Sequence, residues 1–161
     1  GVAAFHAQYE TAPVLIHMAD AACIGESGQQ MQANTLHSMG LGHLAFAFKT
    51  LPEADALLED GHTLADYVPA VDSETATALL HWHIMHTPGH SPGSVCLYNA
   101  EEKKLISGDT IFYKSWGRTD LPGGSEAQLQ KSLRHIYATV AGDVLVYPGH
   151  EYYGFMLSEN V

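Results

Sequence analysis

Three short stretches constrain this chain more than any others: Thr87-Pro88-Gly89-His90-Ser91-Pro92-Gly93-Ser94, Ser107-Gly108-Asp109-Thr110 and Tyr147-Pro148-Gly149-His150. Each closes a run of strand-type residues with a glycine turn and offers one metal-type ligand. Pro-Gly pairs force the backbone to bend sharply, and a carboxylate next to Gly108 can come close to an ion because glycine adds no bulk. Two histidines and one aspartate from separate loops suit a divalent metal such as zinc or iron.

The rest of the chain reads as α/β. Val2 to Tyr9 predicts a helix with Phe5 and Tyr9 on one face, and Val14-Leu15-Ile16 predicts a short buried strand. Such an αβ unit normally follows another strand, so a parallel sheet lacks its opening member. Mixed helical character is expected over 19–39, interrupted at Gly25 and Gly28, then irregular structure over 40–52. Asp60-Gly61 predicts a tight corner between two short strands, and 79–85 a strand leading into the first loop. A hairpin follows, Ser94 to Tyr98 and Lys103 to Ile106, its second strand delivering Asp109. Ser125 opens a capped helix with Leu129, Leu133, Ile136, Tyr137 and Val140 at helical spacing, and Val144 to Tyr147 is the last strand.

The order TPGHSPGS, SGDT, PGH resembles the last three metal motifs of the metallo-β-lactamase superfamily, and more nearly its glyoxalase II-like branch. The resemblance implies an αββα sandwich in which His90 binds one metal, Asp109 bridges both and His150 binds the other. The family's first motif, His-x-His-x-Asp-His, is not found upstream, and Gly1-Val2-Ala3-Ala4-Phe5-His6 resembles the helix start that follows it. The expectation is one domain over 1–161, N-terminally incomplete, lacking its first strands and first metal motif.

His81-Trp82-His83-Ile84-Met85-His86 imitates the absent motif. Read as a strand, however, it sets His81 and His83 on one side of a sheet with little freedom to converge on His90. The place of the family's aspartate is Met85, a poor zinc ligand. The segment from Ile111 to Gly124 includes Gly-Arg-Thr-Asp-Leu-Pro-Gly-Gly, which resembles a loop of bacterial glyoxalase II-like hydrolases and, in variant form, of persulfide dioxygenases. Arg118 could hold a substrate carboxylate or stiffen the loop by pairing with Asp120. Tyr113, Lys114 and Trp116 are further candidates for a substrate rim. True glyoxalase II uses a lysine and a tyrosine near here for glutathione, and the arginine and aspartate depart from that pattern.

Eighteen acidic residues against seven basic give a formal charge of -11, which repels phosphate backbones and anionic membrane surfaces. Nucleic acid is therefore not an expected partner. Cys23 and Cys96 lack CxxC spacing and sit among apolar neighbours, which predicts two buried free thiols. No signal peptide or membrane span is read, and a cytoplasmic location is expected.

The resemblance implies hydrolysis of a small ester or thioester by a metal-bound hydroxide, with two zinc ions in the complete protein. The rival enzyme is a mononuclear iron persulfide dioxygenase. The rival of another class is a non-catalytic remnant. With three ligands for two ions, each ion has two protein ligands at best, so weak metal binding and little hydrolysis are expected from these 161 residues alone.

Overall fold

The structure, a computed structural model, describes residues 2–47 and 51–160, and the chain divides into two compact units, Gly1–Leu57 and Leu58–Val161. Gly1 and Val161, and positions 48–50 of the expected irregular stretch 40–52, lie outside the described residues.

In the first unit, α1 (Val2–Gln8) ends one residue short of the predicted Tyr9, with the Phe5 and Tyr9 rings 4.6 Å apart between centroids. β1 (Leu15–His17) pairs with β2 (Ala56–Leu58) in a two-stranded sheet. Asp55 closes the approach to it, exchanging a main-chain hydrogen bond with Val14 while its Oδ2 accepts from the Val14 N–H at 2.7 Å. A 3₁₀ turn (Met18–Cys23) leads into α2 (Gly25–Ser38). Of the expected breaks at Gly25 and Gly28 the first occurs, because extended Ile24 ends the 3₁₀ turn before a new helix opens, and the second does not. Gly25 begins the helix at φ +66°, and Gly28 lies within it, where a Cβ would stand 2.3 Å from the Cys23 carbonyl oxygen. Gly28 allows close backbone approach, and Gly25 leaves room for the Glu53 carboxylate. Residues 42–47, expected to be irregular, form a second 3₁₀ turn.

The second unit is built on a five-stranded mixed sheet of β3 (His83–His86), β4 (Val95–Asn99), β5 (Lys104–Gly108), β8 (Leu145–Pro148) and β9 (Phe155–Met156), in that spatial order. β8 runs parallel to β5, and the other neighbours are antiparallel. Cross-strand partners share a face, so the register aligns Met85 with Cys96, Tyr98 with Leu105, Leu105 with Val146, and Val146 with Phe155. α4 (Glu126–Thr139) covers that face with Leu129, Leu133 and Ile136, and Val140 follows at its C-cap. Each such side chain, fully buried, contributes about 1.5–3 kcal/mol. Ser125 caps the helix by accepting from the Gln128 N–H, and Tyr137 turns outward, off the expected core. On the opposite face Ile106 and Met156 stay 42% and 44% exposed, in contrast to their sealed strand neighbours.

Two sequence expectations fail here. The strand predicted over 79–85 is split: α3 (Ser73–Leu80), capped by Asp72 accepting from the Thr75 N–H, occupies its start, and only His83–His86 is strand. A side-chain cap at Asp72, followed by helix-favouring Ala76, Ala78, Leu79 and Leu80, outweighs the apolar run. The turn at Asp60-Gly61 forms with Gly61 at φ +77°, but it does not join a hairpin. β2 pairs with β1, and beyond the turn Thr63 makes a single bridge to His83 before a 3₁₀ turn (Leu64–Asp66). Among the described residues no helix is long and apolar enough to cross a membrane.

Candidate metal centre

The first loop is held by α4. Ser132 Oγ donates to the Pro88 carbonyl and the Ser125 N–H to the Gly89 carbonyl, both at 2.8 Å. Gly89 takes φ +148°, and a Cβ there would lie 2.4 Å from the Leu129 Cβ, so only glycine lets the loop rest on the helix before His90. Beneath the loops, Thr87 and Thr110 are sealed from solvent and joined hydroxyl to hydroxyl at 3.1 Å. The second loop turns at Gly108, φ +50°, and presents Asp109 at the end of β5. Because β8 runs parallel to β5, its end delivers the third loop beside the second. The Gly149 N–H donates to the Gly108 carbonyl at 2.8 Å, and a Cβ on Gly149 would stand 2.5 Å from Asp109 Oδ1.

The outcome is convergence on one oxygen. Asp109 Oδ2 lies 3.6 Å from His90 Nε2 and 3.7 Å from His150 Nε2. His90 is oriented by its other nitrogen, since Nδ1 is 2.8 Å from the Arg118 carbonyl, which can only accept. A proton therefore sits on Nδ1, and Nε2 is the nitrogen directed at the carboxylate. The His150 ring packs 4.4 Å from that of Phe112, and its Nδ1 is 3.6 Å from the Glu151 carboxylate. All three side chains retain solvent access, so an ion and a substrate could reach them.

Two imidazoles thus approach one carboxylate oxygen from separate loops. Among the described residues no group of three or more His, Cys, Asp or Glu side chains is arranged to hold a metal ion by itself. The donor set nonetheless fits divalent metals: neutral imidazole nitrogens and a carboxylate oxygen, with a second carboxylate oxygen turned toward Gly149.

The histidine string that imitates a metal motif goes elsewhere. His81 is the C-cap of α3, not a strand residue beside His83, and lies 3.5 Å from Glu101. His86 Nε2 meets the Pro92 carbonyl at 2.9 Å.

Of the rim candidates, Arg118 makes a bidentate pair with Asp120, both contacts at 2.7 Å, and this hydrogen bonding pulls the Asp120 carboxyl down to about 2. Its main chain, not its guanidinium, touches the site. Tyr113 lies on the turn of a small hairpin, β6 (Ile111–Phe112) and β7 (Ser115–Trp116), its ring against Tyr152 and Phe155. Lys114 sits on the same turn with its Nζ 5.2 Å from the Tyr113 ring centroid. Sequence reasoning passed over Gly117, where a Cβ would stand 1.9 Å from the Asp109 carbonyl oxygen and 3.2 Å from the His90 Cβ. The only signal for it was a glycine beside Arg118.

The profile of the Metallo-beta-lactamase superfamily matches residues 8–150. The chain belongs to that superfamily. Among curated relatives, the probable metallo-hydrolase YqgX of Bacillus subtilis is 40% identical over 86 residues, covering 53% of this chain and 41% of YqgX. A hydroxyacylglutathione hydrolase of Anaeromyxobacter dehalogenans is 36% identical over 119 residues, 69% of this chain and 46% of that enzyme. The human mitochondrial persulfide dioxygenase ETHE1 is 30% identical over 106 residues, 66% of this chain and 37% of ETHE1. The chain thus spans less than half the length of each. The crystal structure of TTHA1623 in a di-iron-bound form aligns with a TM-score of 0.71 at 26% identity, covering 98% of this chain and 66% of that one. The fold is therefore that of the metallo-β-lactamase superfamily, whose members bind divalent metals.

Proposed function

We propose that His90, Asp109 and His150 are ligands of a two-zinc site that hydrolyses a small ester or thioester, with Asp109 shared between the ions. The observation that carries this reading is the approach of two imidazole Nε2 atoms, from separate loops, to one oxygen of Asp109 at 3.6 and 3.7 Å. A bound ion pair would lower the pKa of a coordinated water toward neutrality and polarise the substrate carbonyl. The chain's own residues supply the rest. The Arg118 carbonyl keeps His90 in the ligating tautomer, Gly149 leaves space for the Asp109 carboxylate, and Phe112 orients His150. The likeness to a hydroxyacylglutathione hydrolase supports a thioester substrate.

The likeness to ETHE1 supports a second reading, a one-iron site acting on a persulfide. Metal analysis of the full gene product, paired with assays of thioester hydrolysis and of oxygen uptake on glutathione persulfide, separates the two. Two zinc ions per chain with hydrolysis that is lost in Asp109→Ala is the expected result. One iron with oxygen uptake would overturn the hydrolase reading. For the 161 residues by themselves, two protein ligands per ion lead to weak zinc binding and little turnover. Zinc bound at micromolar concentration with turnover would overturn that expectation.

A further inference from the structure

The β6–β7 hairpin has a second role in the fold, away from the three ligands. Its turn residue Lys114 adopts φ 53°, unusual for a side chain with a Cβ, and is held there by Asn160. Asn160 Oδ1 accepts the Lys114 N–H, and Asn160 Nδ2 donates to the Phe112 carbonyl at 2.7 Å. This clamp ties the hairpin to the C-terminal 3₁₀ turn (Leu157–Asn160) and leaves a cavity of about 430 Å³ between the hairpin, α4 and that turn. Lys114, Trp116, Leu133, Arg134, Tyr137 and Glu159 line it.

The cations there are the notable part of an acidic molecule. Lys103, Lys104 and Arg118 are each paired with a carboxylate. The Arg134 guanidinium has neither an ion pair nor a hydrogen bond among the described residues, and the Lys114 ammonium has only the Tyr113 ring. Trp116 and Tyr137 remain 52% and 39% exposed at the same cavity. A guanidinium presents a planar fork suited to carboxylate or phosphate, aromatic faces accept a planar ring, and Leu133 gives an apolar floor. The volume lies within the range of about 300–1,000 Å³ usual for small-ligand sites. Glu159 favours a ligand with an N–H or hydroxyl to donate.

We propose that this cavity binds a planar aromatic molecule bearing one anionic group, carboxylate or phosphate, at a site separate from the metal centre. None of His90, Asp109 or His150 lines it.

Isothermal titration of this chain with AMP and, separately, with indole-3-acetate tests the proposal. At least one of them binds with a Kd below about 1 mM, while adenosine and inorganic phosphate bind at least about tenfold more weakly than AMP wherever AMP binds. Binding of AMP alone assigns the anion as phosphate, and of indole-3-acetate alone as carboxylate. Arg134→Gln and Trp116→Ala each weaken binding at least about tenfold, and Arg134→Lys weakens it less than Arg134→Gln, since it keeps the charge and loses the fork. Lys131→Gln, on α4 but off the cavity, and His90→Ala leave it unchanged. If neither ligand binds below about 1 mM, or if binding ignores both Arg134→Gln and Trp116→Ala, the proposal fails.

Discussion

The Arg118 carbonyl oxygen lies 2.8 Å from His90 Nδ1, and the residue before it, Gly117, packs so closely that a Cβ there would sit 1.9 Å from the Asp109 carbonyl oxygen. One turn of backbone thus orients the His90 ring and presses against the main chain of Asp109. Gly117→Ala puts a methyl group into main-chain atoms that cannot swing aside, and is expected to cost about 1–3 kcal/mol in urea unfolding.

Gly149→Ala contrasts with it. The added methyl would meet Asp109 Oδ1 at 2.5 Å, the far end of a side chain that can rotate. The fold therefore gives way at the carboxylate, and zinc affinity, measured by chelator competition, is expected to fall at least about tenfold with little change in the urea midpoint. Equal loss of stability in the two glycine variants, with zinc affinity untouched, would remove Asp109 from the proposed ligand set.

Arg118→Ala deletes the guanidinium but keeps the carbonyl that His90 needs. Zinc affinity is expected to stay within about twofold of the parent, because the orienting hydrogen bond is main-chain. The variant should instead alter Asp120. Hydrogen bonding from Arg118 holds that carboxyl at about 2 in the fold, below the ordinary value of about 3.9. The folded value is depressed, so the contribution of the pair is complete above about pH 4 and lost as pH falls toward about 2. Carbon-detected NMR titration should place the Asp120 midpoint at about 2 in the parent and nearer about 4 in Arg118→Ala. An unchanged midpoint would mean that the pair does not persist in solution.

The loops were legible because each is punctuated by proline or glycine, and because glycine is where backbone and ligand must approach closely. The hairpin of β6 and β7 was not, since its strands are two residues long and its left-handed turn residue is Lys114, which carries no turn signal; tertiary bonds from Asn160 impose it. α3 was hidden because Leu79 to Met85 reads as one apolar run, while the deciding feature, the Asp72 cap, lies seven residues earlier. The convergence of His90 and His150 on Asp109 depends on β8 lying parallel to β5, a pairing across some forty residues that no local pattern specifies. The three candidate residues could be chosen from sequence; the orientation of His90 and the glycine contacts around Asp109 could not.

Under the loops, the Thr87 and Thr110 hydroxyls satisfy one another at 3.1 Å in a volume closed to water. Thr110→Val leaves Thr87 with only the long contacts to the Ser94 carbonyl and the Cys96 sulfur. The expected cost is about 1–3 kcal/mol, the penalty for a buried polar group that loses its partner. The double variant Thr87→Val with Thr110→Val removes both hydroxyls together and should recover part of that loss. Urea unfolding of the three variants measures it, and additive costs would show that the hydroxyls are not coupled.

The two cysteines, both expected to be buried, differ in the fold. Cys96 is sealed beneath α4, and burial pushes its thiol up to about 11, whereas Cys23 is only partly buried, its thiol raised by burial and by the charge of Asp20. Thiolate is the reactive form, so at pH 8 Cys96 is ionised to about one part in a thousand and is also closed to reagent. Iodoacetamide on the native chain at that pH, followed by mass spectrometry of peptides, should label Cys23 slowly and Cys96 only when the sheet opens. Adding urea to the unfolding midpoint should bring the Cys96 rate up to that of Cys23. Equal labelling of both thiols in the native state would mean that α4 does not stay docked over Cys96, and with it the Ser132 and Ser125 hydrogen bonds that hold the His90 loop would be lost.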